Sequence, residues 1–433
     1  MKFKTYTLQN YKEIPQISQL AKKDIASIDV VSHVLPFKTN NYVVDELIDW
    51  KNYENDPIYK INFPQKDMLI PEHFKEMESV INSNTTKSEI RETANNIRLQ
   101  LNPHPAGQLE HNVPEINGER LLGIQHKYNE TMLFFPTQGQ TCHAYCTFCF
   151  RWPQFVGMDE LKFAMKQGEL MVEYLKEHDE VTDVLFTGGD PMTMKTKHLE
   201  SYINILLDAD LPHLRNIRIG TKALTFWPQR YVDDNDTDNL LRLFEKVSKS
   251  KKNLAIMAHF NHPRELETDI LHTAVNNIRN TGALIRTQSP LLNNINAEPE
   301  LWSAMWNKQV ELGMIPYYMF VARNTGAQHY FSVPLVKAWQ IFRKAYSKVG
   351  GICRTVRGPS MSADPGKVLV AGVSKVNGTK VINLTFIQGR NSKWVRRPFF
   401  AKYDEKATWL NDLVPAFDEK EFFYEDEFKR MYN

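Results

Sequence analysis

At 433 residues, with 42% apolar and 24% charged side chains, the chain is ordinary in composition and long enough to bury a large core without disulfides or structural metal. Its 53 Lys and Arg against 51 Asp and Glu leave a net charge of +2, which excludes a polycation drawn to nucleic acid or an anionic membrane. Met1-Lys2-Phe3-Lys4-Thr5 runs into polar sequence instead of an apolar signal core, and no apolar run approaches the roughly 18 residues of a membrane span, so a cytoplasmic location is expected.

Residues 1–120 are polar and rich in Lys, Asn and Glu, and they read as a mostly helical N-terminal extension. Within it Lys75–Leu101 carries the helical pattern, and Asn102-Pro103-His104-Pro105-Ala106-Gly107 has linker chemistry. From Met132 short apolar runs alternate with amphipathic ones. Strands are predicted at Met132–Pro136, Asp183–Thr187, Ile217–Gly220, Leu254–Phe260, Ala283–Thr287 and Ile315–Val321. Helices are predicted between and after them, at Asp159–His178, Leu199–Leu207, Asp238–Ser250, Leu266–Arg279, Pro299–Leu312 and Leu335–Val349. Such a succession of β–α units implies an α/β fold with a parallel sheet and helices on its outer face, here a six-unit (β/α) partial TIM barrel over residues 121–350. Residues 351–433 form a small C-terminal segment. In it Val368–Val373 and Lys380–Phe386 flank Asn377-Gly378, a hairpin with its turn chemistry in place. The charged, aromatic last 40 residues read as a helical tail that packs on the barrel or on another subunit.

Three of the four cysteines, Cys142, Cys146 and Cys149, lie in the run Thr141-Cys142-His143-Ala144-Tyr145-Cys146-Thr147-Phe148-Cys149-Phe150-Arg151, just after the first barrel strand. The spacing C-x3-C-x2-C, in a chain neither small nor cysteine-dense, points to metal or redox chemistry and not to a disulfide scaffold. The loop at the carboxyl end of a barrel strand is where α/β enzymes build their sites. Three thiolates can hold three irons of a cubane, leaving the fourth open to a ligand that is not protein. A structural zinc takes four protein ligands. No fourth cysteine is near, and His143, adjacent to Cys142, would make a strained one. Downstream, the apolar run Val184-Leu185-Phe186-Thr187 enters Gly188-Gly189-Asp190-Pro191. Its glycines permit close backbone approach and its carboxylate can accept from an ammonium, although such a turn by itself is most often only a turn.

The cysteine spacing at the end of a first barrel strand, followed one strand later by Gly-Gly-Asp, resembles the radical S-adenosylmethionine (SAM) superfamily. The resemblance implies a 4Fe–4S cluster on Cys142, Cys146 and Cys149 whose open iron is chelated by SAM, and reductive cleavage of SAM to a radical that abstracts hydrogen. It also implies SAM contacts from Phe148, beside the adenine, and from Gly188, Gly189 and Asp190 at the amino group. Further segments narrow the likeness to the lysine 2,3-aminomutase family: Asp56-Pro57-Ile58 with Phe63-Pro64-Gln65; His126-Lys127-Tyr128; Ile217-Arg218-Ile219-Gly220-Thr221-Lys222 with Pro228-Gln229-Arg230; His259-Phe260-Asn261-His262-Pro263; Thr287-Gln288-Ser289 with Leu291-Leu292; and Pro316-Tyr317-Tyr318. They span residues 55–390.

That family implies pyridoxal phosphate (PLP) as a second cofactor and a 2,3-migration of an amino group. By its register Lys367, in Ala363-Asp364-Pro365-Gly366-Lys367, holds PLP in a loop after the barrel, Arg151 grips the substrate carboxylate, and Gln288 joins the cofactor contacts. A low-potential reductant such as flavodoxin or ferredoxin is implied as well, and a homo-oligomer is compatible with it. His259 and His262 could be read as a metal pair, but no acidic third ligand lies in sequence range, and a hydrogen-bonded role is favoured.

The sequence departs from the family's pattern in four places. The basic run after the cluster is reduced to Arg151, followed by Trp152 and Pro153. The segment beside PLP becomes His126-Lys127-Tyr128-Asn129-Glu130-Thr131 and loses its final basic residue. The two carboxylates that bind a lysine ammonium are replaced by Arg323 (or Ala322, by one register) and by Ser360. A lysine side chain would then face a like charge in a buried site, a penalty of several kcal/mol. An acidic side chain suits the cation better, and the glutamate-acting branch of the family likewise carries a basic and a neutral polar residue at these places. The family's zinc-binding cysteines are absent, Cys353 being the only other cysteine, so no structural zinc is expected. The expected function is thus PLP-dependent 2,3-amino migration on an α-amino acid other than lysine. Two alternatives stand beside it: a PLP-independent radical SAM enzyme acting on another small molecule, and a non-catalytic iron–sulfur protein.

Overall fold

The computed structural model of the chain describes residues 3–83, 85–102, 111–157 and 163–432. Most of the linker expected at Asn102–Gly107 and the first residues of the helix predicted from Asp159 lie outside them. Two short hairpins stand apart from the main sheet: β1 (Thr5–Thr7) with β2 (Lys38–Asn40), and β3 (Glu115–Ile116) with β4 (Glu119–Arg120). The main sheet takes its strands in chain order: β5 (Ile124–Tyr128), β6 (Thr131–Phe134), β7 (Asp183–Phe186), β8 (Asn216–Thr221), β9 (Asn253–His259), β10 (Leu284–Leu291), β11 (Ile315–Val321), β12 (Arg357–Ala363), β13 (Gly366–Val376), β14 (Thr379–Gly389) and β15 (Pro398–Lys402). Strands β6 to β12 are parallel, and β5 and β13–β15 extend the sheet antiparallel at its two edges.

Each parallel crossover carries a helix: Gly168–Lys176, Thr196–Asp208, Thr237–Lys249, Asp269–Asn280, Pro299–Glu311 and Leu335–Ser347. The sequence writes the layering directly. Thr237–Lys249 buries Leu240, Leu243, Phe244 and Val247, a single stripe at helical period. Strand β8 sends Ile217 and Ile219 into the core beneath such stripes, while Arg218 and Gly220, of the opposite parity, line the barrel interior. The fold is therefore the expected six-unit partial barrel: apolar between sheet and helices, polar inside.

Four features differ from the sequence reading. Lys75–Leu101 is two helices, Pro71–Asn82 and Lys87–Leu101, because Thr86 and Glu89 form a capping box that starts the second one. Strands β5 and β12, too polar to read as apolar runs, extend the sheet by pairing with β6 and β11. The hairpin is longer than predicted, with Asn377 (φ 49°) and Gly378 (φ 83°) in the left-handed conformation that a two-residue type I′ turn requires. The C-terminal tail is not helical overall. It contributes β15 and one short helix, Glu425–Arg430, and otherwise packs Phe399, Phe423 and Tyr424 against Phe386 of β14. Aromatic anchoring replaces helical periodicity there.

The N-terminal extension covers the carboxyl-end mouth of the barrel. Ile58, Phe63, Phe74 and Ile97 share one apolar cluster with Ala144, Trp152, Leu292, Ala322 and Phe331 from the mouth loops. No helix among the described residues is long and apolar enough to cross a membrane.

Candidate active site

Beneath that cover, at the carboxyl ends of the parallel strands, lies a cavity of about 360 Å³. It brings together Cys142, Cys146, Cys149, Phe148, Arg151, Gly188, Gly189, Asp190, Gln288, Arg323 and Lys367, drawn from positions more than 200 residues apart in the chain. Ser360 does not reach it. On β12 the residue that lines the cavity is Ser362, two positions nearer the carboxyl end, whereas the Ser360 hydroxyl is buried against the Met319 carbonyl at 3.4 Å. Two residues of strand are about 6.6 Å, enough to take a side chain out of the mouth layer. The substrate role expected for Ser360 is not supported by this placement.

The three cysteines are free thiols on the loop after β6. Burial pushes all three up, Cys142 well above the ordinary thiol range, Cys146 to about 12 and Cys149 to about 11, and neighbouring cysteines act on one another in the same direction. As thiolates they would need a strongly cationic partner. Their Sγ atoms do not all lie within 4.8 Å of one another, looser than the roughly 3.8 Å between thiolates on one tetrahedral zinc. A polynuclear cluster, whose ligands stand farther apart than those of one ion, fits this donor set.

The glycines after β7 make the loop's position possible. Gly188 has φ +139°, and a Cβ there would overlap the Gln140 side chain. A Cβ at Gly189 would overlap the backbone of Thr141, the residue before Cys142. Because backbone cannot yield as a side-chain tip can, Gly189→Ala is expected to displace the cysteine loop and abolish iron binding, read as loss of iron content and visible absorption. Iron loading equal to the unaltered chain would show that the close approach is dispensable.

Asp190 is buried and already engaged. Its Oδ1 accepts from Met192 N at 2.9 Å and Thr221 Oγ1 at 2.8 Å, and its Oδ2 from Lys222 N at 2.8 Å, while its own N–H donates to Thr141 O at 2.7 Å. It pins the cysteine loop to the end of β8, a role the sequence reading missed because Thr221 and Lys222 carry no signal for it. His143 packs between Asp190 and the rings of Phe226 and Trp227, with both ring nitrogens lacking a hydrogen-bond partner.

The opposite wall is cationic. Lys367 stands on strand β13, not in a loop, because Asp364 and Pro365 make a tight turn and register Lys367 opposite Ser362 and Gln388. Its Nζ donates to Gln388 Oε1 at 3.2 Å and lies 4.1 Å from the centre of the Tyr318 ring. Burial, reinforced by Arg357 and Arg218, brings its ammonium down to about 7. Arg151 is half-buried against Phe135 and Phe150, its Nη1 without a hydrogen-bond partner among the described residues, and desolvation lowers it to about 10. Arg323 lies 4.9 Å from the same Phe150 ring and donates to Ser362 O at 3.1 Å. Lys127 of β5 donates to Ala363 O at the end of β12, bridging strands that are not neighbours in the sheet. Burial, then Arg390 and Arg323, holds it well below the usual lysine range.

His259 and His262 do not converge on a metal. His259 Nε2 is 2.9 Å from Gln288 Nε2, and His262 Nδ1 accepts from Arg264 N. Burial lowers them to about 3 and about 4, so both rings are neutral and hydrogen-bonded. Phe148 meets Phe331 edge-on at 6.1 Å.

No family model matches the chain. A protein of Aquifex aeolicus (strain VF5), provisionally assigned as an L-lysine 2,3-aminomutase, is 32% identical over 358 residues, covering 82% of this chain and 83% of its own length. The L-lysine 2,3-aminomutase of Haemophilus influenzae is 27% identical over 59% of this chain and 72% of its own. The glutamate 2,3-aminomutase of Clostridioides difficile is 29% identical over 48% and 46%. Among solved structures, a radical SAM methyltransferase from Sphaerobacter thermophilus aligns over 54% of this chain and 68% of that one at TM-score 0.36, too slight a likeness to add weight. The extent of the Aquifex match, over a chain that places three loop cysteines and a buried lysine in one barrel mouth, makes this protein a divergent member of the lysine 2,3-aminomutase family of radical SAM enzymes.

Proposed function

We propose that the chain moves an amino group between C2 and C3 of an α-amino acid with an acidic side chain, using a 4Fe–4S cluster, SAM and PLP. The reaction is an isomerisation: the amino group passes from C2 to C3 and a hydrogen passes the other way, with no net oxidant. The observation that carries the reading is Lys367, a buried amine with no carboxylate partner among the described residues, lowered to about 7 and facing the same cavity as the three cysteines. An amine that is neutral near pH 7 is what attachment of an aldehyde cofactor requires.

When bound, the cluster and SAM supply a carbon radical and PLP carries the migrating nitrogen. The chain's own residues bind and orient. Arg151, which lines the cavity, offers a planar fork to the α-carboxylate. Arg323 offers a second cation near the same Phe150 ring, suited to an acidic side chain and hostile to an ammonium. The apolar cover from the N-terminal extension keeps water from a reactive radical. Gly188, Gly189, Phe148 and Gln288 line the cysteine side of the cavity, where SAM would lie.

The PLP-free reading draws on the missing basic residues at Thr131 and Pro153. Arg218 Nη2 donates to Thr131 Oγ1 at 3.2 Å, so a guanidinium still reaches that wall for a phosphate. The test is PLP titration of the reconstituted protein, followed by borohydride and peptide mass, beside Lys367→Ala. An adduct mapping to Lys367 and absent from the variant supports the amino shift; none, or the same in both, sinks it. Cleavage of SAM to 5′-deoxyadenosine by the reduced protein separates both enzyme readings from a non-catalytic iron–sulfur protein.

A further inference from the structure

The cysteine loop does not stand on the barrel alone. Tyr145 N donates to Lys38 O at 2.8 Å, Asn40 Nδ2 to His143 O at 3.3 Å and to Phe226 O at 2.9 Å, and Thr147 N to Ile61 O at 3.0 Å. Residues 38–61 of the N-terminal extension thus strap the segment between Cys142 and Cys149. Strand β2 carries a cation to this point: Lys38 Nζ donates to Thr141 Oγ1 at 3.4 Å and lies 5.7 Å from the Tyr145 ring centre. It is partly buried and, among the described residues, pairs with no carboxylate.

Other charges near the cysteines are balanced or committed. Lys222 is neutralised by Glu265 at 3.0 Å and held by Asn261 at 2.8 Å. Arg151 is offered to the substrate carboxylate. Asp190 and Lys38 bring opposite charges to Thr141, the residue before Cys142: Asp190 N donates to Thr141 O at 2.7 Å and Lys38 Nζ to Thr141 Oγ1 at 3.4 Å. We propose that Lys38 is a positioning residue that raises the reduction potential of the cluster, offsetting Asp190 and easing entry of the electron that precedes SAM cleavage. Reduction transfers one electron from an external low-potential donor and adds one negative charge to the cluster. An uncompensated cation beside one of its ligands stabilises that charge more than the oxidised state. The inference rests on the cluster reading above.

The test is redox titration of the reconstituted protein without SAM, followed by the electron paramagnetic resonance signal of the reduced cluster, for the unaltered chain, Lys38→Gln and Lys38→Arg. Lys38→Gln is expected to lower the reduced-to-oxidised ratio at a fixed poise about tenfold, the order expected for removing one unit charge at intermediate dielectric, which is about 59 mV for one electron. Lys38→Arg should restore it, a pattern that loss of packing alone does not produce. A fully loaded Lys38→Gln protein with an unshifted potential overturns the inference and leaves the cluster reading intact. Failure of the unaltered chain to bind iron overturns both.

Discussion

The PLP adduct at Lys367 is expected to form with a midpoint near pH 7 and to vanish in Lys367→Ala. An ordinary lysine at pH 7 is neutral in about one molecule in three thousand, whereas one lowered to about 7 is neutral in half. The sign follows from the cause. Burial and the facing Arg357 and Arg218 disfavour the ammonium, so the nucleophilic form is present above pH 7 and lost as pH falls through it. Removing one of those charges, as in Arg357→Gln, should move the midpoint up by less than burial moves it down. The same burial is a stability cost. Between about pH 7 and 10 the unfolded chain binds more protons at this residue, so stability attributable to it rises with pH and is lowest at and below pH 7. Lys367→Met is therefore expected to raise the apparent Tm below pH 7 while abolishing the adduct. A midpoint near 10 would falsify the environment described for Lys367.

Arg151→Gln is expected to raise the substrate concentration needed for half-maximal turnover by about a hundredfold, within the 2–5 kcal/mol typical of truncating one member of a buried, hydrogen-bonded charge pair. The guanidinium is held between Phe135 and Phe150, at 4.4 and 5.1 Å, with one nitrogen left for a ligand. Arg151→Lys should recover only part of the loss, since an ammonium keeps the charge and forfeits the two-point fork. Cluster content and SAM cleavage without substrate should stay near those of the unaltered chain. If half-saturation is unmoved while turnover collapses, Arg151 serves the cysteine loop and not the substrate carboxylate. Titrating Arg323→Gln with acidic and neutral amino acids then separates recognition of the side chain from recognition of the α-carboxylate.

Legibility in the sequence followed local physics. Ile315–Val321 was readable to the residue because it is a continuous apolar and aromatic run in a parallel strand with no exposed residue. Thr237–Lys249 was readable within a residue at each end because its apolar stripe has one period. Strand β12, Arg357–Ala363, was not, because Arg, Gly, Pro and Ser dominate it and its strand character comes from pairing with β11 and β13. The tail failed for the opposite reason: charged and aromatic residues suggested a helix, but the aromatics find their burial on β14. Of the site residues, the cysteines and glycines announced themselves by spacing. Lys367 was located by register, and its partner Tyr318 was named only within a Pro-Tyr-Tyr segment without a role.

What the sequence determined by itself is whatever rests on spacing along one element: the alternation of strands and helices, the three-thiol loop, and the glycines that let backbone approach backbone. What only the tertiary structure decided is whatever depends on groups distant in the chain meeting in a low dielectric. Lys367 and Arg218 lie nearly 150 residues apart, and it is burial inside the barrel, with Arg357 and then Arg218 facing it, that lowers the lysine. Ser360 and Ser362 are indistinguishable in the sequence, and the height of β12 in the sheet sends one into the cavity and the other below it. Lys38 reads as one more polar residue of the extension until strand β2 lays it beside Cys142. Charge and hydrogen-bond energies depend on distance and on exclusion of water, and the fold sets both.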